Sequence, residues 1–179
     1  GARQTDGSPS YNKPGSIMRW REDSPEALNV GYVLYTDADM LLRQPMDPVA
    51  MGVRPGVVVS AHVGYLDVGI RNGIAAQFLP TKEMVDMAGA DLDKLGQGGD
   101  ARRLSAGGWY HFFHISDIRK IAPRWFHYCR EMRTNPQKYW SIKDKTTGLP
   151  SIEKDITTGD AYVGRNQAPW ISEMYGYVF

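Results

Sequence analysis

Two aspartates one residue apart, Asp37-Ala38-Asp39, follow directly on the apolar run Asn29-Val30-Gly31-Tyr32-Val33-Leu34-Tyr35-Thr36. A run of that length, rich in Val and Tyr and stopped by acidic residues, predicts a strand. In open α/β sheets ligands bind beyond the carboxyl ends of strands, so the pair stands where a site belongs. Two carboxylates at this spacing can share a hard divalent cation, one directly and one through water, while the cation bridges the phosphates of a nucleotide. Oxygen donors of this kind suit Mg2+ or Mn2+. An acidic turn at a strand end is also a common feature without chemistry, so the pair alone does not decide.

Other residue types add to the picture. Trp109, Trp170 and Tyr175 offer aromatic faces on which a sugar or a peptide can stack, and Gly107-Gly108 can let backbone approach a ligand closely, although a plain turn explains it as well. His111 and His114 differ by three within a predicted strand and point to opposite faces, which argues against a joint metal site. His62 follows the second apolar run and is a candidate site residue, whereas His127 falls on a solvated helix face. A phosphatase of the haloacid dehalogenase type also carries Asp-x-Asp after a strand. Its motif continues with a small hydroxyl residue and Thr, whereas Met40-Leu41-Leu42-Arg43 follows here.

The elements that must position these residues are short. Gly1 to Gly15 is polar and turn-rich and reads as a loop. The near-continuous apolar character of the first strand suggests cover on both faces, as in a parallel sheet. Val57-Val58-Val59-Ser60-Ala61-His62-Val63 is a second run and Trp109-Tyr110-His111-Phe112-Phe113-His114-Ile115 a third, leading into Ser116-Asp117 as a helix N-cap. Ile118, Ile121, Ala122, Trp125, Cys129 and Met132 then share one helix face, with Trp125 in the core. Pro123 inside that pattern predicts a kink or two short helices, and Asn135-Pro136 ends it. The expected fold is α/β, a mostly parallel sheet with flanking helices. Its stretches are a lead-in loop over 1–28, a strand and Asp-x-Asp region over 29–87, a mobile loop over 88–108 and an acceptor-side region over 109–179.

Composition sets the outer limits. The 179 residues carry 21 Lys+Arg against 20 Asp+Glu, a formal charge of +1, so nucleic-acid binding driven by bulk charge is excluded. With 42% hydrophobic and 23% charged residues the chain has material for a core. Its one cysteine, Cys129, excludes an internal disulfide and a cysteine-cluster metal site. No apolar run approaches the roughly 20 residues of a membrane-spanning helix.

Tyr11-Asn12-Lys13-Pro14 with Trp20, Tyr35-Thr36-Asp37-Ala38-Asp39-Met40-Leu41-Leu42-Arg43-Gln44-Pro45, Gly107-Gly108, Asp117-Ile118-Arg119-Lys120, Thr158-Gly159-Asp160-Ala161-Tyr162 and Trp170-Ile171-Ser172-Glu173-Met174-Tyr175-Gly176-Tyr177 succeed one another along the chain. In that order they resemble the plant and algal peptidyl serine α-galactosyltransferases, with the hydroxyproline O-arabinosyltransferases as more distant relatives. The resemblance implies a GT-A-type nucleotide-sugar fold whose Asp37 and Asp39 hold Mn2+ (or Mg2+) against the diphosphate of UDP-galactose, the donor. It implies that Lys13 and Asn72 line the donor side and that Glu173 faces the acceptor or the reacting sugar, with Asp160 in the same cleft. For Glu173, a favourable charge near a helix N-terminus is the alternative.

The acceptor implied is serine in a hydroxyproline-rich, extensin-like protein, and the compartment is the Golgi or ER lumen, with any membrane anchor outside this chain. Such transferases build the base pocket from an earlier strand and take a further metal ligand, usually His, from beyond the final helix. The chain is therefore expected to be a fragment of a larger catalytic domain, incomplete at both ends. A hydroxyproline O-arabinosyltransferase and a catalytically silent sugar- or peptide-binding module are the alternatives.

Overall fold

A computed structural model describes residues 7–64, 66, 74–79, 107–142 and 167–179. The three apolar runs supply strands β1 (Tyr32–Thr36), β2 (Val59–Ser60) and β3 (Tyr110–His114), which form one sheet in the order β1-β3-β2. Both outer strands are antiparallel to β3, with Tyr35 opposite His111 and Ser60 opposite His111 on the other side. The expected mostly parallel sheet is thus corrected to a small antiparallel one within a mixed α/β chain. An apolar run reports that a strand is covered, not which way its neighbour points. Here β1 is an edge strand, half-buried at every position, and the buried centre is β3.

Because β1 and β2 both oppose β3, they run the same way. Their carboxyl ends therefore meet the amino end of β3 at one edge of the sheet. The Asp37 N–H donates to the Trp109 carbonyl at 2.9 Å, and the Ala61 N–H donates to the Tyr110 carbonyl at 3.0 Å. This edge carries the Asp-x-Asp turn.

The described helices are α1 (Asn12–Asp23), α2 (Ile74–Phe78), α3 (Ile115–Thr134), α4 (Pro136–Trp140) and α5 (Ser172–Val178). The stretch read as a loop up to Gly15 is instead a 3-10 turn, Pro9–Tyr11, running into α1. Its prolines mislead because Pro9 and Pro14 both fall in first turns, where the missing N–H has no helical partner to lose. The Ser8 hydroxyl caps the turn by accepting from the Ser10 N–H at 3.2 Å.

Helix α3 follows β3 without a loop and continues through Pro123 as one helix, not two. Pro123 leaves the carbonyl four residues back, at exposed Arg119, without its helical partner, and water can reach it there. The cap is His114 in place of Ser116-Asp117: its Nδ1 accepts from the Ser116 N–H at 3.2 Å. Asp117 instead accepts from the Gly56 N–H at 2.8 Å. That contact fixes the turn Arg54–Val57, where Gly56 has a φ of +80° that side chains other than glycine rarely adopt.

Ile118, Ala122, Trp125, Cys129 and Met132 are buried on one face of α3, as their spacing predicts, and Tyr128 joins them. His111 and Phe113 alternate onto the sheet face that meets this helix, and Phe113 packs with Ile17, Ile118 and Trp125. Burial of each such large side chain contributes about 1.5–3 kcal/mol. Helix α5 lies against α3 so closely that a Cβ on Gly176 would stand 2.6 Å from the Cys129 backbone nitrogen. The contact positions the first turn of α5, which carries Glu173.

Candidate functional site

Three elements converge at the sheet edge. Lys13 projects from the first turn of α1, Asp37 is the residue after β1, and Glu173 lies in the first turn of α5. The Lys13 Nζ stands 2.7 Å from Asp37 Oδ1 and 2.7 Å from Glu173 Oε1. The three side chains retain only 15%, 25% and 9% of their exposure respectively, so solvent screens this pairing poorly. Lys13 donates a hydrogen bond to Glu173. Its contact with Asp37 is an ion pair of the same length, at an oxygen that is itself buried.

The charges act on one another. For Lys13, burial alone would lower its pKa, but the Glu173 and Asp37 carboxylates outweigh it and the ammonium is held more firmly than usual. For Glu173, burial raises the carboxyl, and Lys13 offsets only part of that shift. Burial likewise raises the Tyr35 hydroxyl, whose ring packs edge-on against Trp125.

The glutamate is held from behind. The Trp125 indole N–H donates to the Glu173 main-chain carbonyl at 2.7 Å. Just before α5, the Ser10 hydroxyl donates to the Trp170 carbonyl at 3.0 Å, and Arg133 donates to the Pro169 carbonyl at 2.8 Å. Beneath the cluster, His111 Nδ1 lies 2.9 Å from Ser60 Oγ, which lies 2.8 Å from the Tyr177 hydroxyl. Burial depresses the His111 imidazole to about 3 and raises the Tyr177 phenol to about 12, so both are neutral at physiological pH.

Each candidate residue has a definite place or lies outside the described residues. Asp39 is exposed in the same turn as Asp37, closed by a bond from the Met40 N–H to the Asp37 carbonyl at 3.1 Å. Trp109 and Trp170 remain 42% and 45% exposed, one beside Asp37 in the sheet edge and the other three positions before Glu173. Tyr175 is buried, with its hydroxyl donating to the Leu66 carbonyl at 3.3 Å, and presents no open face. Gly108 is buried too: a Cβ there would come within 2.8 Å of both Ala61 Cβ and Val63 Cγ1, so its close approach is to β2's own extension. Asn72 and Asp160 lie outside the described residues. His111 and His114 do point apart, and His127 is exposed.

Trp125 was legible as core from its periodicity, but nothing in the spacing reveals its indole bond to Glu173. The His111–Ser60–Tyr177 cluster and the Ser10–Arg133 clasp leave no sequence pattern either, because each joins elements far apart in the chain.

As a site for a divalent cation, the turn offers two hard oxygen donors, Asp37 and Asp39, and Asp37 Oδ1 already faces a positive charge, the Lys13 ammonium. Among the described residues no cluster of three or more His, Cys, Asp or Glu could cage a metal. By donor chemistry alone, two carboxylates suit an ion of the Mg2+ or Mn2+ type, whose other positions water or a phosphate can fill.

The same chain aligns with two curated proteins. It is 33% identical over 171 residues to a peptidyl serine alpha-galactosyltransferase of Arabidopsis thaliana, covering 96% of this chain. It is 30% identical over 171 residues to the peptidyl serine alpha-galactosyltransferase of Chlamydomonas reinhardtii, covering 95% of this chain. Over this stretch the chain is similar to peptidyl serine alpha-galactosyltransferases. It spans 17% and 19% of the length of these two galactosyltransferases. No protein-family model matches it, and no solved structure matches it significantly. The lysine, the aspartate and the glutamate that meet in space all lie in segments that carry the resemblance to these transferases.

Proposed function

We propose that this chain is part of a GT-A-type glycosyltransferase domain that moves galactose from UDP-galactose to serine in hydroxyproline-rich, extensin-like proteins within the Golgi or ER lumen. One observation carries the reading: a single ammonium, Lys13, lies 2.7 Å from both the motif aspartate Asp37 and the helix glutamate Glu173. A lone acidic turn would explain Asp37 by itself, but not its convergence with a buried glutamate from the far end of the chain.

The chemistry asked of the site is the departure of a nucleoside diphosphate, which concentrates negative charge on the β-phosphate as the glycosidic bond breaks. Mn2+ or Mg2+ held by Asp37 and Asp39 would supply a charge clamp at that phosphate. Lys13 adds a second positive charge near the same place, favouring the departing anion over the intact donor. Glu173 keeps a buried negative group beside the reacting sugar, where positive character develops at the anomeric carbon, and Trp125 holds its backbone in place. Trp109 and Trp170 offer stacking faces for the sugar or the peptide acceptor.

The test is to incubate the full-length protein with an extensin-like peptide, UDP-galactose and Mn2+ and to follow the peptide by mass. A hexose gain on serine, lost in Asp37→Ala, is expected. A pentose gain from a UDP-pentose would reassign the protein to arabinosyl transfer, and no gain with any UDP-sugar would leave a silent binding module.

A further inference from the structure

We infer that Lys13 is a built-in placeholder for the divalent cation: its ammonium occupies the ligating side of Asp37 until a metal ion displaces it. The inference rests on the metal-dependent reading of Asp37 and adds a competing partner to it.

The geometry is that of an internal competitor. The Lys13 Nζ lies 2.7 Å from Asp37 Oδ1, whereas a small divalent cation on the same oxygen sits at about 2.0–2.2 Å. Both cations would then share one carboxylate oxygen, and the repulsion between like charges disfavours holding both there at once. The two ends of the Lys13 bridge differ in exposure: at equal distance from the ammonium, the Glu173 side chain keeps 9% of its exposure and the Asp37 side chain 25%. The ammonium is anchored on Glu173 and leans on Asp37. An arriving cation therefore competes with the ammonium for Asp37, the more exposed of the two carboxylates. Lys13 can yield Asp37 and keep Glu173, staying charged and paired throughout.

This arrangement gives the two carboxylates a counter-ion in the metal-free protein, and it weakens the affinity for free metal until a diphosphate shares the ion's coordination. It also places the released ammonium next to the incoming phosphate charge. Removing the ammonium should therefore tighten binding of the metal alone.

The experiment titrates the full-length protein with Mn2+ in the absence of nucleotide, following free Mn2+ by electron paramagnetic resonance, with Asp37→Ala defining any binding elsewhere. Lys13→Met should bind Mn2+ at the Asp37 site about tenfold more tightly than the wild type, a coupling of ordinary size. Since Lys13→Met strands Glu173 and can fail to fold, the wild type carries a second measurement. Mg2+ should raise acylation of the Lys13 amine by an N-hydroxysuccinimide ester severalfold relative to exposed Lys120, read by peptide mass. Equal or weaker Mn2+ binding in Lys13→Met, or Lys13 labelling unmoved by Mg2+, overturns the placeholder while leaving Asp37 as a ligand. Absence of Asp37-dependent Mn2+ binding in both proteins overturns the placeholder and the metal reading together.

Discussion

The indole Nε1 of Trp125 donates to the main-chain carbonyl of Glu173 across 2.7 Å, inside the contact between α3 and α5. Trp125 is 2% exposed, so this bond has no water to replace it. Trp125→Phe retains an aromatic ring but strands the carbonyl, which costs about 1–3 kcal/mol. Urea unfolding should show that loss, and transfer should fall in kcat more than in KM for the donor, since the variant disturbs a positioned carboxylate and not a binding face. An unchanged kcat at full folding would remove Trp125 from the positioning role.

Lys13 serves two carboxylates, and its removal leaves Glu173 buried with no counter-ion. Breaking one side of a buried pair costs about 3–5 kcal/mol, more than the pair contributes over an apolar replacement. Lys13→Met should therefore be much less stable than the wild type, and Lys13→Met combined with Glu173→Leu should recover most of the loss. A double-mutant cycle on unfolding free energies measures this coupling. Strict additivity of the two substitutions would show that the contact carries no energy.

Those three side chains show what the sequence could and could not disclose. Asp37 is visible because a strand and an acidic spacing are local patterns, whereas Glu173 stands out only through the resemblance of its segment to a known family, since its helix start carries no side-chain cap. Their meeting at Lys13 is not local: it depends on the antiparallel register of β3 with β1 and on α5 folding back on α3. The parallel reading of the sheet failed for the same reason, since strand direction belongs to pairs of distant segments. Tyr175 shows the converse, an aromatic residue read for its chemistry that tertiary packing spends on the core. Pro9 and Pro14 read as breakers because their position within a helix, not their presence, decides their effect.

Gly176 tests the helix contact that seats Glu173. Alanine is the better helix former by about 1 kcal/mol, yet its Cβ would stand 2.6 Å from the Cys129 nitrogen and 3.0 Å from its Cα. Backbone cannot yield as a side chain can, so Gly176→Ala should destabilise by about 1–3 kcal/mol despite its propensity. A thermal midpoint equal to or above that of the wild type would contradict the packing described.

Trp109 and Trp170 are large apolar side chains left 42% and 45% exposed at the edge of the site. More than half of each residue is buried, so replacement by Ala should cost about 1–3 kcal/mol, and the kinetics are compared where both variants are fully folded. If they serve the acceptor, KM for the peptide should rise severalfold in each variant while Mn2+ binding stays constant. Unchanged kinetics in both would leave these faces without a part in the reaction.

His111 provides a pH test with a defined sign. Burial, with the nearby Lys13 charge, holds its imidazole at about 3 in the folded chain, against an ordinary 6.5. The folded state therefore takes up the proton only near pH 3, while the unfolded chain takes it up below about 6.5. Between those values the unfolded state binds more protons, so the stability contributed by neutral His111 is complete above pH 6.5 and is lost as pH falls toward 3, by up to about 1.4 kcal/mol per pH unit. Raised Glu173 acts in the opposite sense, since its protonation favours the folded state as pH falls through its folded value. The difference between the wild type and His111→Gln isolates the imidazole: Gln can still pair with Ser60 but cannot titrate. Chemical denaturation from pH 7 to pH 4 should show stability falling more steeply in the wild type than in His111→Gln, and parallel curves would place the buried imidazole outside the acid response.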